Sequence, residues 1–155
     1  MPLRTLLMPF VFLLVACIPP LSPMERLANA AHELNSATRF ARMDIALSNV
    51  AEDGQRDFAR RHAAWHRDLR IVDVEIVGVE PLTPDTADIR LAVSWHTLDN
   101  TTLQSSNVVQ RWTQDREGWK LTDETRTSGA KGLFGESMAK EHKPRLDGVT
   151  TSSWQ

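Results

Sequence analysis

The chain has no second cysteine, no apolar run long enough to cross a membrane as a helix, no strong excess of either charge and no internal repeat. Cys17, the only cysteine of 155 residues, rules out a disulfide within the chain. The apolar stretch at residues 6–16 is interrupted by Pro9. A helix crossing roughly 30 Å of hydrocarbon needs about 20 apolar residues. Eighteen basic and 20 acidic residues give a net charge of −2, which supplies no overall attraction to nucleic acid. No zinc-protease HExxH pattern occurs, and no convergent polar set stands out, so neither a metal nor a cofactor is expected.

What is present begins with an address. The segment MPLRTLLMPFVFLLVA carries one positive charge at Arg4 and no acid before its apolar stretch, the pattern of an export signal. Leu14, Val15, Ala16 and Cys17 resemble the lipobox of bacterial lipoproteins, in which diacylglycerol is attached to the cysteine sulfur and cleavage leaves that cysteine as the new N-terminus. The resemblance implies a signal peptide over 1–16, lipidation of Cys17 and attachment to the cell envelope. Ile18 stands where the inner-membrane retention signal of such lipoproteins is typically aspartate, which points to the outer membrane. Cleavage would leave 139 residues with a net charge of −3, enough for one domain with one core. Residues 17–23 contain three prolines and read as an extended lipidated tether.

The domain is expected over 24–127. Leu27, Leu34, Ala41 and Ile45, with Ala30 and Ala37, fall on one side of a 3.6-residue helix, while Phe40, Met43, Leu47 and Val50 form a second stripe. This predicts one long helix, with a break near Asn35 and Ser36 as the alternative. A second helix is predicted from about Gln55 to His66, with Phe58, His62, Trp65 and Leu69 inward and a basic face of Arg56, Arg60 and Arg67 outward. The period then becomes two. RIVDVEIVGV places Val72, Val74 and Ile76 opposite Asp73 and Glu75, with a bulge near Gly78. ADIRLAVSWHTL alternates Ala87, Ile89, Leu91, Val93 and Trp95 with polar residues, and TLQSSNVVQRWTQ and WKLTDETR follow after short turns. Four strands joined by short connections make an antiparallel meander, and with the helices an α+β domain whose curved sheet wraps them.

With this element order, RFARMD in the first helix and the QRW and GWKL segments near the end, the chain resembles the nuclear transport factor 2-like, or cystatin-like cone, superfamily over roughly 24–126. The whole chain is similar to small proteobacterial lipoproteins carrying such a domain. The resemblance implies either a binding domain or a pocket enzyme of the isomerase or dehydratase kind, using Asp and His for proton transfer. Candidates for the latter are Asp44, His62, His66 and His96, without a committed catalytic set. His62 and His66, four apart on a helix, also have the spacing to share a metal, but His62 lies in the apolar stripe and reads better as a core histidine. Asp73 and Glu75 oppose the apolar face and suit solvated charges. Phe40, Phe58, Trp65, Trp95, Trp112 and Trp119 read as core or pocket wall.

The expected partners are the membrane through acylated Cys17, and an envelope protein or an apolar small molecule. Superfamily habit adds a homodimer through the open sheet face, with Val108, Gln110 and Trp112 as contacts. Residues 128–155 are poor in large apolar side chains and are expected to be a flexible tail, with Leu133 and Phe134 able to dock and Trp154 its one odd feature. The favoured function is non-enzymatic binding at the membrane.

Overall fold

The structure, a computed structural model, describes residues 20–137. Helix α1 spans Pro23–Arg39. Ser22 caps it: its hydroxyl accepts from the Glu25 amide while the Glu25 carboxylate accepts from the Ser22 amide at 2.7 Å. Such a reciprocal box stabilises a helix start by about 1 kcal/mol, and Pro23 suits the first turn, where no amide is needed. The predicted single helix ends here. It breaks not at Asn35 but at Phe40–Arg42, where Ala41 takes φ +59° and the chain restarts as α2, Met43–Ser48. The break turns Phe40 out to solvent, 63% exposed, so it is not core; it lines a cleft of about 300 Å³ with Asn35, Arg39 and Val74.

A 3-10 turn at Glu52–Gly54 leads into α3, Gln55–Arg61. This helix stops five residues short of His66, which has φ +67° in the following turn. The inward stripe nevertheless holds: Phe58, His62, Trp65 and Leu69 are all buried. Arg56, Arg60 and Arg67 are exposed, Arg60 paired with Asp57 and Arg67 with Asp68.

Strands β1 (Leu69–Thr83), β2 (Thr86–Thr97), β3 (Gln104–Gln114) and β4 (Trp119–Gly129) form one antiparallel sheet in the order β1-β2-β3-β4. The fold is thus α+β: helices on one face of a four-stranded meander, the cone-like arrangement. The β2 alternation is as expected, with Ala87, Ile89, Leu91, Val93 and Trp95 buried. The register of β1 shifts at Ile71/Asp73, Ile76/Gly78 and Pro81/Thr83. The second of these is the bulge near Gly78. The first puts Val72 outside the pairing and exposes it, leaving Ile71, Val74 and Ile76 to face the core side.

Two further expectations need correcting. Val108, Gln110 and Trp112 are fully buried beneath the helices, so they are not a free dimer face. The domain also does not end at residue 127, because Leu133 is completely buried and its carbonyl accepts from the Trp65 indole at 2.9 Å. Glu136 fastens this strap: one carboxylate oxygen accepts from Arg126 Nε at 2.6 Å, the other from the Gly132 and Phe134 amides. Among the described residues no helix is long and apolar enough to cross a membrane. Cys17, the signal segment 1–16, and Trp154 with the rest of 138–155 lie outside the described residues.

Candidate functional site

The concave face of the sheet is where a cone-like domain would keep a pocket. Here it holds a continuous line of buried polar side chains crossing four elements. On α1, Asn35 donates back to the Ala31 carbonyl at 2.8 Å and to Gln110 Oε1 at 3.1 Å. Gln110, on β3, returns a bond from Nε2 to Asn35 Oδ1 at 2.9 Å and gives its other proton to Glu124 Oε1 at 2.8 Å. Both amide orientations follow from this sequence of donors and acceptors. Glu124, on β4, is 3% exposed, and its Oε2 lies 3.2 Å from Nε2 of His62, itself 2% exposed.

Glu124 Oε2 has no aligned hydrogen-bond donor; besides His62, Arg61 Nη2 approaches it at 3.8 Å. Arg61 donates from Nη1 to the Glu124 carbonyl, and its Nε lies 3.3 Å from Asp57. The imidazole is walled by Phe58, stacked at 3.9 Å, and by the edges of Trp65 and Phe134 at 4.5 and 5.2 Å. Phe134 comes from the strap, whose ring Arg61 also covers at 5.5 Å.

The protonation of the pair follows from its neighbours. The Phe58 carbonyl, 2.8 Å from His62 Nδ1, can only accept, so Nδ1 carries a proton. Nε2 then faces the Glu124 carboxylate oxygen at 3.2 Å. Burial pushes the imidazole below the ordinary histidine value of 6.5, with Glu124 pulling the other way. The unfolded chain therefore takes up the imidazole proton first as pH falls, and the stability this group contributes is complete above about pH 6.5 and lost below it. For Glu136, burial works to raise the carboxyl, but the Arg126 bond and the strap amides outweigh it and hold it below 4.5. Its contribution is lost at lower pH still. The thermal midpoint should fall in two stages between pH 8 and pH 3, and His62→Gln should flatten the first. A wild-type midpoint constant from pH 8 to pH 5 would contradict this.

The four acid–base candidates do not converge. Asp44 is exposed on α2. His66 Nε2 lies 3.1 Å from the Thr38 carbonyl, and His96 Nδ1 lies 2.8 Å from the Thr97 carbonyl. Asp73 is solvated and pairs with Arg39 at 2.9 Å, and Glu75 is exposed. Among the described residues no three His, Cys, Asp or Glu side chains are grouped to hold a metal, and His62 and His66 turn to different carbonyls, those of Phe58 and Thr38. The other five aromatic candidates, Phe58, Trp65, Trp95, Trp112 and Trp119, are all buried. A cleft of about 640 Å³ between α1, α2 and the β3–β4 turn is lined by Arg26, His32, Arg42 and Trp119 among others. A groove of about 490 Å³ beside the strap is lined by Leu69, Leu98 and Glu136 among others. Neither reaches His62 or Glu124.

Sequence reasoning missed Glu124, Asn35 and the role of Gln110. The signal for Gln110 was a polar residue in phase with Val108 and Trp112. Glu124 had none, because it faces inward only after a register shift opposite Arg111/Trp112.

No family model matches the chain and no curated protein matches its sequence. Solved structures do match its fold. A ketosteroid isomerase-like protein from Erwinia carotovora superposes with a TM-score of 0.55 at 15% identity, over 65% of this chain and 93% of that one. A domain of unknown function with a cystatin-like fold from Nostoc punctiforme gives 0.56 at 13%, over 70% and 78%. A putative Ca/calmodulin-dependent kinase II association domain from Exiguobacterium sibiricum gives 0.57 at 10%, over 71% and 95%. At these identities the similarity is one of fold, and the fold is the cystatin-like cone.

Proposed function

We propose that this chain is an exported bacterial envelope protein, anchored through diacylglycerol on Cys17 at the outer membrane, whose domain acts by binding rather than by catalysis. One observation carries the second half: the cone interior, where a pocket enzyme would take its substrate, is filled. Trp95, Trp112 and Gln110 are completely buried there, and the His62–Glu124 pair is closed off by Phe58, Trp65 and Phe134. Proton transfer needs a group within about 3 Å of the substrate or one water away, and the His62–Glu124 pair lines neither of the two clefts. The binding surface is then the exterior, and the occupant an envelope protein or an apolar small molecule. The anchor half rests on the residue pattern before Cys17. Acyl chains add about 0.8 kcal/mol of membrane affinity per buried methylene, so two or more hold a domain firmly.

An isomerase- or dehydratase-type activity is the competing reading, and the His62–Glu124 pair is the observation in its favour. Intact mass, membrane fractionation and in-cell crosslinking of wild type beside Cys17→Ser decide between them. The expected result is a diacylglycerol adduct and outer-membrane fractionation for wild type only, with crosslinked neighbours lost in the variant. Masses that differ only by the sulfur-to-oxygen substitution, with soluble behaviour for both, would remove the anchor and bring the enzyme reading forward.

A further inference from the structure

We propose that the end of the domain holding the start of α1 and the β1–β2 turn lies flat against the lipid surface, with Leu21, Val79 and Leu82 as its contacts; this rests on Cys17 being the anchor. The geometry begins with reach. Four residues lie between Cys17 and the Ser22 cap, and the five chain steps span at most about 18 Å. Whatever end of the domain carries Ser22 is therefore held beside the bilayer.

That end is well defined. The Trp119 indole, at the start of β4, donates to the Pro23 carbonyl at 3.1 Å. Gln114, the register partner of Trp119, donates its amide to the Asp85 carbonyl in the β1–β2 turn at 2.8 Å. With neighbouring strands about 4.8 Å apart, Ser22 and both turns share one end of the sheet. Leu98 and Leu103, in the β2–β3 connection, lie at the other end, since β2 pairs Trp95 with Gln104 there.

The near end exposes apolar side chains that nothing in the fold covers. Leu82 is the residue that the Pro81/Thr83 register shift leaves unpaired, and it is 46% exposed. Val79 and Leu21 are also exposed, with Pro81 and Pro84 beside Leu82. The charges around them largely cancel in pairs: Glu80 with Arg90, Asp88 with Arg111, and Glu117 with Lys120. Of the charges left over, Arg116 in the β3–β4 turn and Arg26 beside Leu21 are offset by Asp85, Asp115 and Glu25, so the surface has no cationic excess to seek anionic lipid. The contact is a shallow apolar one with the headgroup region of largely zwitterionic lipid, and is insensitive to salt.

The test supplies the anchor chemically, so that it reports on this face and not on native acylation, which the mass measurement decides separately. The chain from Cys17 onward is coupled through its single thiol to a maleimide phospholipid in phosphatidylethanolamine/phosphatidylglycerol vesicles, and amide hydrogen exchange is compared with the uncoupled protein. Exchange at 82–86 should slow several-fold on coupling, at 0.05 M and 0.5 M salt alike, while 98–103 is unchanged. Leu82→Asp should abolish the slowing without altering exchange of the uncoupled protein, and Leu103→Asp should not. No slowing at 82–86, equal slowing at 98–103, or slowing that survives Leu82→Asp would overturn the proposal.

Discussion

Glu124→Ala is expected to destabilise the domain by about 3–5 kcal/mol, the usual cost of removing one partner from a buried charged pair. The carboxylate accepts from Gln110 Nε2, and its other oxygen lies beside His62 Nε2 and the Arg61 guanidinium. Alanine leaves the Gln110 amide and the Arg61 cation without that partner. The comparison that identifies the mechanism is His62→Phe combined with Glu124→Leu. It removes both sides of the contact, and Gln110 keeps Asn35 Oδ1 as an acceptor. The double variant should therefore be more stable than Glu124→Ala by well over 1 kcal/mol, since a matched apolar pair leaves little unsatisfied. Urea unfolding with unchanged m-value measures both. A Glu124→Ala variant within 1 kcal/mol of wild type would show that the polar line is not integral to the core.

Trp95→Ala and Trp112→Ala should each cost about 3–5 kcal/mol, because both indoles are completely buried and the cavities cannot collapse between four strands and a helix. The phenylalanine variants should separate. Trp95 donates to Ser106 Oγ at 3.0 Å, and Ser106 donates on to the Ala130 carbonyl at the head of the strap. Trp112 Nε1 is buried without an acceptor. Trp112→Phe thus removes an unsatisfied donor along with some packing, whereas Trp95→Phe removes a made bond, worth about 1 kcal/mol net. Trp95→Phe should accordingly be the more destabilising of the two, and the reverse order in chemical denaturation would contradict the assignment of their hydrogen bonds.

The legible parts of this sequence were those in which one physical signal acted alone. Strand β2 alternates strictly, and its five inward residues are the ones expected. The meander was readable from the short connections between strands. The Phe58, His62, Trp65 and Leu69 stripe survived although helix α3 ended early, because burial of the side chains, not helical geometry, fixes which way they face. The break after α1 was illegible because Ala41 takes a left-handed conformation with no glycine or asparagine to announce it. The polar line was illegible for a related reason. An irregularity in one strand of a pair reverses every later side chain, and the residues around Glu124 carry no mark of it. A buried carboxylate is also the residue that sequence pattern assigns most readily to solvent.

Strand β1 is an open edge of the sheet, and such edges ordinarily recruit another strand. Its register slips at three places about five residues apart, Pro81 lacks an amide to offer, and the Arg39 guanidinium already occupies the Val72 carbonyl. Near the start of β4, the opposite edge is occupied in part: Leu121 exchanges backbone bonds with Asn49 and Ala51, and Arg61 takes the Glu124 carbonyl. A pairing strand would find no uninterrupted ladder of more than about four residues on β1. Copies of the chain would therefore not zip together edge to edge through β1.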